Sequence, residues 1–98
     1  MKSPEDCETM DDVRAEIDRL DSNIMKLFAE RSSYVDRAAD IKRTTGEAPD
    51  TQWRVKEVVE NARRNASDHG LNPEFGEALW RQLVKLSIGR ETKRLKRG

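Results

Sequence analysis

Residues 10–42 read MDDVRAEIDRLDSNIMKLFAERSSYVDRAADIK, and this stretch decides the fold. Its apolar residues recur at alternating steps of three and four, which places them on one face of an α-helix. Arg31 interrupts this face. Because burying an unpaired guanidinium is costly, Arg31 must be paired, solvated or bound to an anion. The apolar stripe consists of Met10, Val13, Ile17, Leu20, Ile24, Leu27, Tyr34, Ala38 and Ile41.

The segments on either side of this stretch predict an all-α chain. Gly46 and Pro49 break the first helix, and Gly70 is placed to end a second. Asn72 and Pro73 are typical of a helix start, which predicts a third helix. We therefore predict one domain over residues 1–98, with an extended arm at residues 1–9 and helices over residues 11–43, 51–69 and 73–95.

The composition limits the core that a single copy can form. Of the 98 residues, 35% are hydrophobic and 39% are charged, so a deep core within one chain is not expected. A helix over residues 11–43 extends roughly 50 Å, more than two shorter helices can cover. The stripe also follows the 3.5-residue period that is typical of helix pairing. We predict an obligate homodimer in which the long helices pack together.

Charge and residue counts exclude several classes of function. The 19 basic and 19 acidic residues cancel, which predicts neither a nucleic-acid nor a membrane partner. No signal peptide or long apolar run is visible, so we expect a cytoplasmic protein. A lone Cys7 excludes an intrachain disulfide, and a single His69 excludes a histidine-rich metal site. No cofactor or metal is predicted.

Two further cations lie beside the apolar stripe. Lys42 follows Arg31 by eleven residues, so both project from nearly the same side of the helix, about 16 Å apart along its axis. Two long cationic side chains at that spacing suit a small dianion. Arg14 lies about 100° round the helix from Arg31 and is better directed at a neighbouring subunit.

The other helices also place polar groups near apolar faces. Ser87 and Glu91 continue the apolar row of the third helix, and Arg54 lies in the first turn of the second. These groups would line one polar pocket between helices, the usual place for a site in a bundle. Each candidate residue also has an ordinary structural explanation. Arg31 would form an interchain ion pair, Arg14 a surface pair with Asp11, and Lys42 would compensate the helix dipole. Ser87 would bond to a backbone carbonyl, and Glu91 would pair with Lys85, Lys93 or Arg94.

Three segments resemble the all-α chorismate mutase family and its relative, isochorismate pyruvate lyase. They are the opening stretch, with its R-x-x-I-D-x-L-D motif, WRVKEVV at residues 53–59, and ALWRQLVKLSIGRE at residues 78–91. The arm SPEDC, at residues 3–7, resembles the lyase branch. The resemblance covers about residues 10 to 92. It implies an intertwined dimer with two equivalent sites that bind a small dicarboxylate.

The resemblance also implies a role for each candidate residue. Arg31, Lys42 and Glu91 would be catalytic: Arg31 binds one carboxylate, while Lys42 and Glu91 face the ether oxygen that gains negative charge. Among the remaining residues, Arg14 would bind the other carboxylate from the partner chain, Arg54 would support the carboxylate end, and Ser87 and Val55 would line the site. The family reaction is a Claisen rearrangement of chorismate to prephenate without a covalent intermediate, which depends on conformer selection and electrostatics.

Two positions depart from the usual mutase pattern. Glu91 stands where many members carry Gln, and it would have to be protonated to donate to the ether oxygen. Activity should therefore fall as pH rises through the titration of Glu91. Val55 stands where mutases carry an acid for the ring hydroxyl, and the lyase branch also has an apolar residue there.

These departures leave the substrate open. We predict a chorismate mutase. The alternatives on the same scaffold are an isochorismate pyruvate lyase, which forms salicylate and pyruvate, and a mutase acting on an amino analogue of chorismate. A remote alternative is a non-enzymatic helical dimer that binds nucleic acid through its basic tail, residues 93–97.

Overall fold

A computed structural model describes residues 1–97, with Arg97 described by its backbone alone. Within this range the chain is helical and has no strand, which confirms the prediction of an all-α chain with three helices. None of the described helices is long and apolar enough to cross a membrane. The helices are α1 (Met10–Thr45), α2 (Gln52–Asp68) and α3 (Pro73–Arg97), preceded by a 3-10 turn (Pro4–Asp6) within the segment predicted as an extended arm.

Side-chain and glycine caps set the limits of α1. The Asp12 backbone amide donates to the Thr9 hydroxyl at 3.1 Å, and the Asp12 carboxylate accepts from the Glu8 amide at 3.1 Å. These bonds satisfy amides that a helix start leaves unpaired. At the other end, Gly46 adopts a φ of 78° and donates to Lys42 O at 2.7 Å. A residue with a side chain rarely adopts this left-handed conformation, so glycine ends the helix here.

The turn between α2 and α3 follows the predicted stop and start signals. Gly70, with a φ of 77°, donates to Ser67 O at 3.1 Å, and Leu71 donates to Ala66 O at 2.8 Å. This pair of bonds is the Schellman motif, which satisfies the last carbonyls of a helix. The Asn72 side chain then accepts from the Glu74 amide at 2.9 Å and caps α3.

Small residues bring α2 and α3 close together. Val59, Ala62 and Ala66 are the buried residues of α2, and Gly76 is buried on α3. A Cβ at Gly76 would overlap the carbonyl group of Ala62 and lie 3.0 Å from the Ala66 Cβ. Only glycine permits this approach of the two backbones. The core of this pair is therefore narrow and built from alanine, valine and glycine rather than from large side chains.

Contacts divide the chain into two compact units, residues 1–33 and residues 34 onward. The first unit holds the 3-10 turn and the first part of α1. The second unit holds the C-terminal part of α1, α2 and α3, and Ala39 of α1 is fully buried. That residues 1–98 form one domain stays a prediction.

The apolar stripe of α1 is largely exposed in the single chain. Leu27 is 64% exposed and Tyr34 is 70% exposed. Among the residues described, no large side chain is fully buried. The further stripe residues that are exposed are Met10, Ile17, Leu20, Ile24 and Ile41.

Candidate functional site

A lysine and a glutamate meet between α1 and α3. Lys42 Nζ lies 3.2 Å from Glu91 Oε1, and the side chains are only 18% and 9% exposed. Lys42 lies in the last turn of α1, and its Nζ also donates to Pro49 O at 3.4 Å, in the loop after the helix. Glu91 is a buried charged residue on α3. The structure thus brings together two of the three residues for which a catalytic role is predicted.

One oxygen of this pair is not satisfied by hydrogen bonding. Glu91 Oε1 is inaccessible to solvent and receives no hydrogen bond from any residue described. The ammonium group of Lys42 is close enough to attract it but is not aligned to donate. A buried polar atom without a hydrogen bond is rare in proteins and needs an explanation. Here the charge of the Lys42 ammonium group, 3.2 Å away, compensates the buried oxygen in place of a hydrogen bond.

Two arginines of α3 grip two aspartates of α1 beside this pair. Arg90 donates to both oxygens of Asp36, at 2.7 and 3.0 Å, and Arg94 donates to both oxygens of Asp40, at 2.9 and 3.1 Å. Arg94 also lies 3.8 Å from Asp36. We call these four residues the ion-pair ladder. They connect successive turns of the two helices, because 36 and 40, like 90 and 94, are four residues apart.

The ladder changes the acidity of its members. The hydrogen bond from Arg90 lowers the pKa of Asp36, and the hydrogen bond from Arg94 lowers the pKa of Asp40. The same bonds raise the pKa of both arginines. All four groups are therefore charged at neutral pH. Charge-assisted, two-pronged pairs of this kind fix the angle between partners as well as their distance.

Three other candidate residues lie in the second unit, and two of them have local partners. Ser87, one turn before Glu91, is half-buried, and its hydroxyl donates to Leu83 O at 2.9 Å. This is the carbonyl bond anticipated as an alternative for Ser87. Arg54 is exposed and pairs with Glu57, one turn further along α2, while Val55 is half-buried. The structure gives Arg54 no contact with the Lys42–Glu91 pair.

The first unit contains the remaining two candidates. Arg14 is exposed and lies 3.8 Å from Asp11, the surface pair that the sequence allowed as an alternative. Arg31 is half-buried. Their roles as carboxylate ligands stay predictions, as do those of Arg54, Val55 and Ser87.

Sequence reasoning missed the ion-pair ladder, and the ordinary alternative that it offered for Glu91 named the wrong partners. The sequence alternatives paired Glu91 with Lys85, Lys93 or Arg94, whereas it pairs with Lys42, and Arg94 is held by Asp40. A signal was present, because one helix carries acids and another carries bases at the same four-residue spacing. The spacing of residues within a helix does not identify which helices pack together. The pairing of these acids with these bases was therefore not predicted.

The site is polar, built from helices and suited to a small charged molecule. In the part of the chain that the structure describes, no group of three acid, histidine or cysteine side chains is arranged to hold a metal ion. A buried ammonium beside a carboxyl group can stabilise developing negative charge and donate a proton or hydrogen bond. This chemistry would suit an all-helical enzyme that acts on a small molecule by positioning and electrostatics.

The chain belongs to the type II chorismate mutase family, which matches residues 13–92. It is 33% identical over 93 residues to the isochorismate pyruvate lyase of Pseudomonas aeruginosa, covering 95% of this chain and 91% of that protein. It is also 28% identical over 78 residues to the chorismate mutase of Methanocaldococcus jannaschii, covering 80% and 79% respectively. The family predicted from the sequence is confirmed.

Proposed function

We propose that this protein is a chorismate mutase, an enzyme that rearranges chorismate to prephenate. The observation that carries the proposal is the largely buried Lys42–Glu91 pair in a chain of this family. The similarity to the Methanocaldococcus jannaschii chorismate mutase over most of both chains supports it. No step of this reaction requires a nucleophile or a cofactor.

The proposed mechanism rests on charge stabilisation. In the rearrangement the ether carbon–oxygen bond breaks while a carbon–carbon bond forms in the same molecule, so no atom enters or leaves. Negative charge grows on the ether oxygen as its bond to carbon lengthens. Lys42 and a protonated Glu91 would donate to that oxygen, because both are held in a site largely closed to water.

Substrate binding is proposed to depend on cations around this pair. Arg31 would hold one carboxylate and Arg14 of a second copy the other, with Arg54 supporting the carboxylate end. Holding both carboxylates selects the compact conformer in which the reacting carbons approach. In this proposal Arg54 exchanges its surface pair with Glu57 for the substrate. Ser87 and Val55 would form the wall of the site.

We also propose that the working form is a homodimer. The support is the apolar stripe of α1, whose large side chains are left exposed in one copy. Apolar patches of this extent mark interaction sites, and a helical stripe fits a second helix. Light scattering should give twice the mass of one chain. Replacing Leu20 and Ile24 with Glu should yield monomers without activity; active monomers would contradict the proposed role of Arg14.

A second candidate reaction is the cleavage of isochorismate to salicylate and pyruvate. The observation that favours it is the similarity to the Pseudomonas aeruginosa lyase over 95% of this chain. Val55 is consistent with this reaction, since it has no group that could bond the ring hydroxyl of chorismate. The two reactions share the carboxylates and the ether oxygen, so the same cations would serve both.

The deciding experiment is a product assay with each substrate separately. We expect chorismate to give prephenate with wild-type protein, and Lys42→Met to lose that activity. Glu77→Gln is the matched control, because Glu77 pairs α3 with α2 through Arg63 and has no part in the proposed site. Salicylate and pyruvate from isochorismate, without prephenate from chorismate, would replace the mutase proposal with the lyase. Turnover of neither substrate would reject both.

A further inference from the structure

The ion-pair ladder lies next to the Lys42–Glu91 pair along the chain. Arg90 and Arg94 flank Glu91 on α3, and Asp36 and Asp40 precede Lys42 on α1. Arg94 is anchored further, because its carbonyl oxygen accepts from Arg43 Nη2 at 2.7 Å. A groove of about 760 Å³ runs beside the ladder and is lined by its four side chains, but not by Lys42 or Glu91. The ladder is therefore adjacent to the candidate site without lining it.

The ladder is poorly explained as a device for stability. Its arginines are about half exposed, at 53% and 44% of their side-chain surface. Exposed ion pairs contribute little to folding free energy, because water screens the charges and ordering long side chains costs entropy. Such pairs can instead fix the relative orientation of two helices, since two parallel hydrogen bonds from an arginine to a carboxylate fix direction as well as distance. Two parallel forks, one turn apart, fix both the rotation and the register of one helix against another.

Glu91 needs such control of direction. Its carboxyl group lies within reach of Lys42, yet its buried oxygen receives no hydrogen bond, so its alignment is set by the helices rather than by its own partners. Rotating α3 by one residue would turn Glu91 by 100°. We propose that Asp36 and Asp40 are positioning residues, which hold α3 through Arg90 and Arg94 so that Glu91 faces Lys42 and the substrate. This inference rests on the proposed function of the Lys42–Glu91 pair.

The test removes the ladder and compares it with an ion-pair site of the same kind elsewhere on α3. In Asp36→Asn/Asp40→Asn, kcat should fall roughly tenfold with little change in KM, because misplaced donors weaken transition-state contacts more than ground-state binding. Glu77→Gln also removes a carboxylate held by two arginines, Arg63 and Arg81, and its kcat should stay near that of wild type. An equal fall in the control would overturn the proposal, as would an unchanged kcat in the ladder variant.

Rescue separates positioning from a general loss of structure. Arg90→Asp should lower kcat, and adding Asp36→Arg should restore roughly half of the loss by reversing the pair. Arg90→Lys keeps the charge but loses the fork, and it should lower kcat while the melting temperature holds. This milder variant also decides the matter if Asp36→Asn/Asp40→Asn fails to fold. Failure of the reversed pair to recover any activity, or full activity in Arg90→Lys, would contradict the proposal.

A measurement independent of activity distinguishes this inference from the proposed reaction. The acetylation rate of Lys42, followed by mass spectrometry, should rise several-fold in the ladder variant and stay unchanged in Glu77→Gln, because a turned Glu91 exposes the amine. If wild-type protein converts neither substrate but Lys42 responds in this way, the proposed reaction fails and the positioning role stands. An unchanged Lys42 rate in the ladder variant would overturn the positioning role whatever the activity.

Discussion

Within the second unit, α3 makes two contacts of opposite character. Against α2 it packs backbone to backbone through Gly76, Ala62 and Ala66, with buried apolar groups between. Against the C-terminal part of α1 it is held by long charged side chains, and the carboxyl group of Glu91 is buried there. The first contact is fixed by shape. The second depends on the geometry of charged groups, which suits a surface where a charged molecule has to enter and leave.

The two contacts of α3 thus separate the residues that stabilise the fold from those proposed to take part in the chemistry. A close-packed apolar contact resists change, because any added volume strains the backbone. A charged contact gains little stability but can direct ions and donors toward one point. If the comparison holds, substitutions at the α1–α3 contact should alter catalysis, and substitutions at the α2–α3 contact should alter folding.

Removing Lys42 should reduce activity more than any other substitution at the α1–α3 contact. Lys42→Met keeps much of the side-chain length but removes the donor, and we expect kcat/KM to fall by about two to three orders of magnitude, as for loss of one transition-state donor. Circular dichroism should show that the helices persist. The comparison fails if Lys42→Met unfolds the protein as readily as it removes activity.

The second prediction concerns the packed contact. Gly76→Ala forces a methyl group against the Ala62 carbonyl, and we expect a loss of about 1–3 kcal/mol in the free energy of unfolding. Gly89→Ala is the matched control, since a Cβ there meets nothing within 4 Å and the helix should gain up to about 1 kcal/mol. Urea unfolding of both variants measures the contrast. A Gly76→Ala protein as stable as wild type would show that the close approach is not required.

The sequence predicted the helices better than it predicted their contacts. Local signals such as Gly46, Gly70 and Asn72 act within a few residues, so the stops and starts were visible. α1 nevertheless begins at Met10 and ends at Thr45, slightly beyond the predicted limits, because the Thr9 cap and the hydrogen bond from the Gly46 amide to Lys42 O extend it. Gly76 was not singled out at all, since the need for glycine arises from α2, distant along the chain.

In the candidate site, too, features visible within one helix were predicted and contacts between helices were not. Lys42 was identified by its spacing from Arg31, and Glu91 because a charge on an apolar row is anomalous; the structure pairs them. Asp36 and Arg90 escaped notice because charged residues on polar helix faces are common, and only the three-dimensional arrangement joins them. Arg31 remains assigned by sequence and family resemblance rather than by geometry.

The third prediction tests the protonation of Glu91 at the charged contact. If the carboxyl group donates to the ether oxygen, only its protonated form is active, and the activity of wild-type protein falls as pH rises. Glu91→Gln donates at every pH, so its profile should be flat over the same range, and it should exceed wild type several-fold at the alkaline end. Profiles of kcat/KM for the two proteins provide the measurement. Superimposable profiles would exclude this role of Glu91.

Removing the two aspartates of the ion-pair ladder should lower the free energy of unfolding only slightly, and the loss should depend on pH. Arg90 and Arg94 lower the pKa of Asp36 and Asp40, so the unfolded chain binds protons more readily than the folded one. The stability that these pairs contribute is present above the ordinary aspartate pKa of about 3.9 and is lost as pH falls through the lowered values. Asp36→Asn/Asp40→Asn should therefore unfold at a slightly lower urea concentration than wild type at neutral pH, and the difference should diminish in acid, below the ordinary aspartate pKa. A difference that persists there would mean that the ladder stabilises α3 by packing rather than by charge.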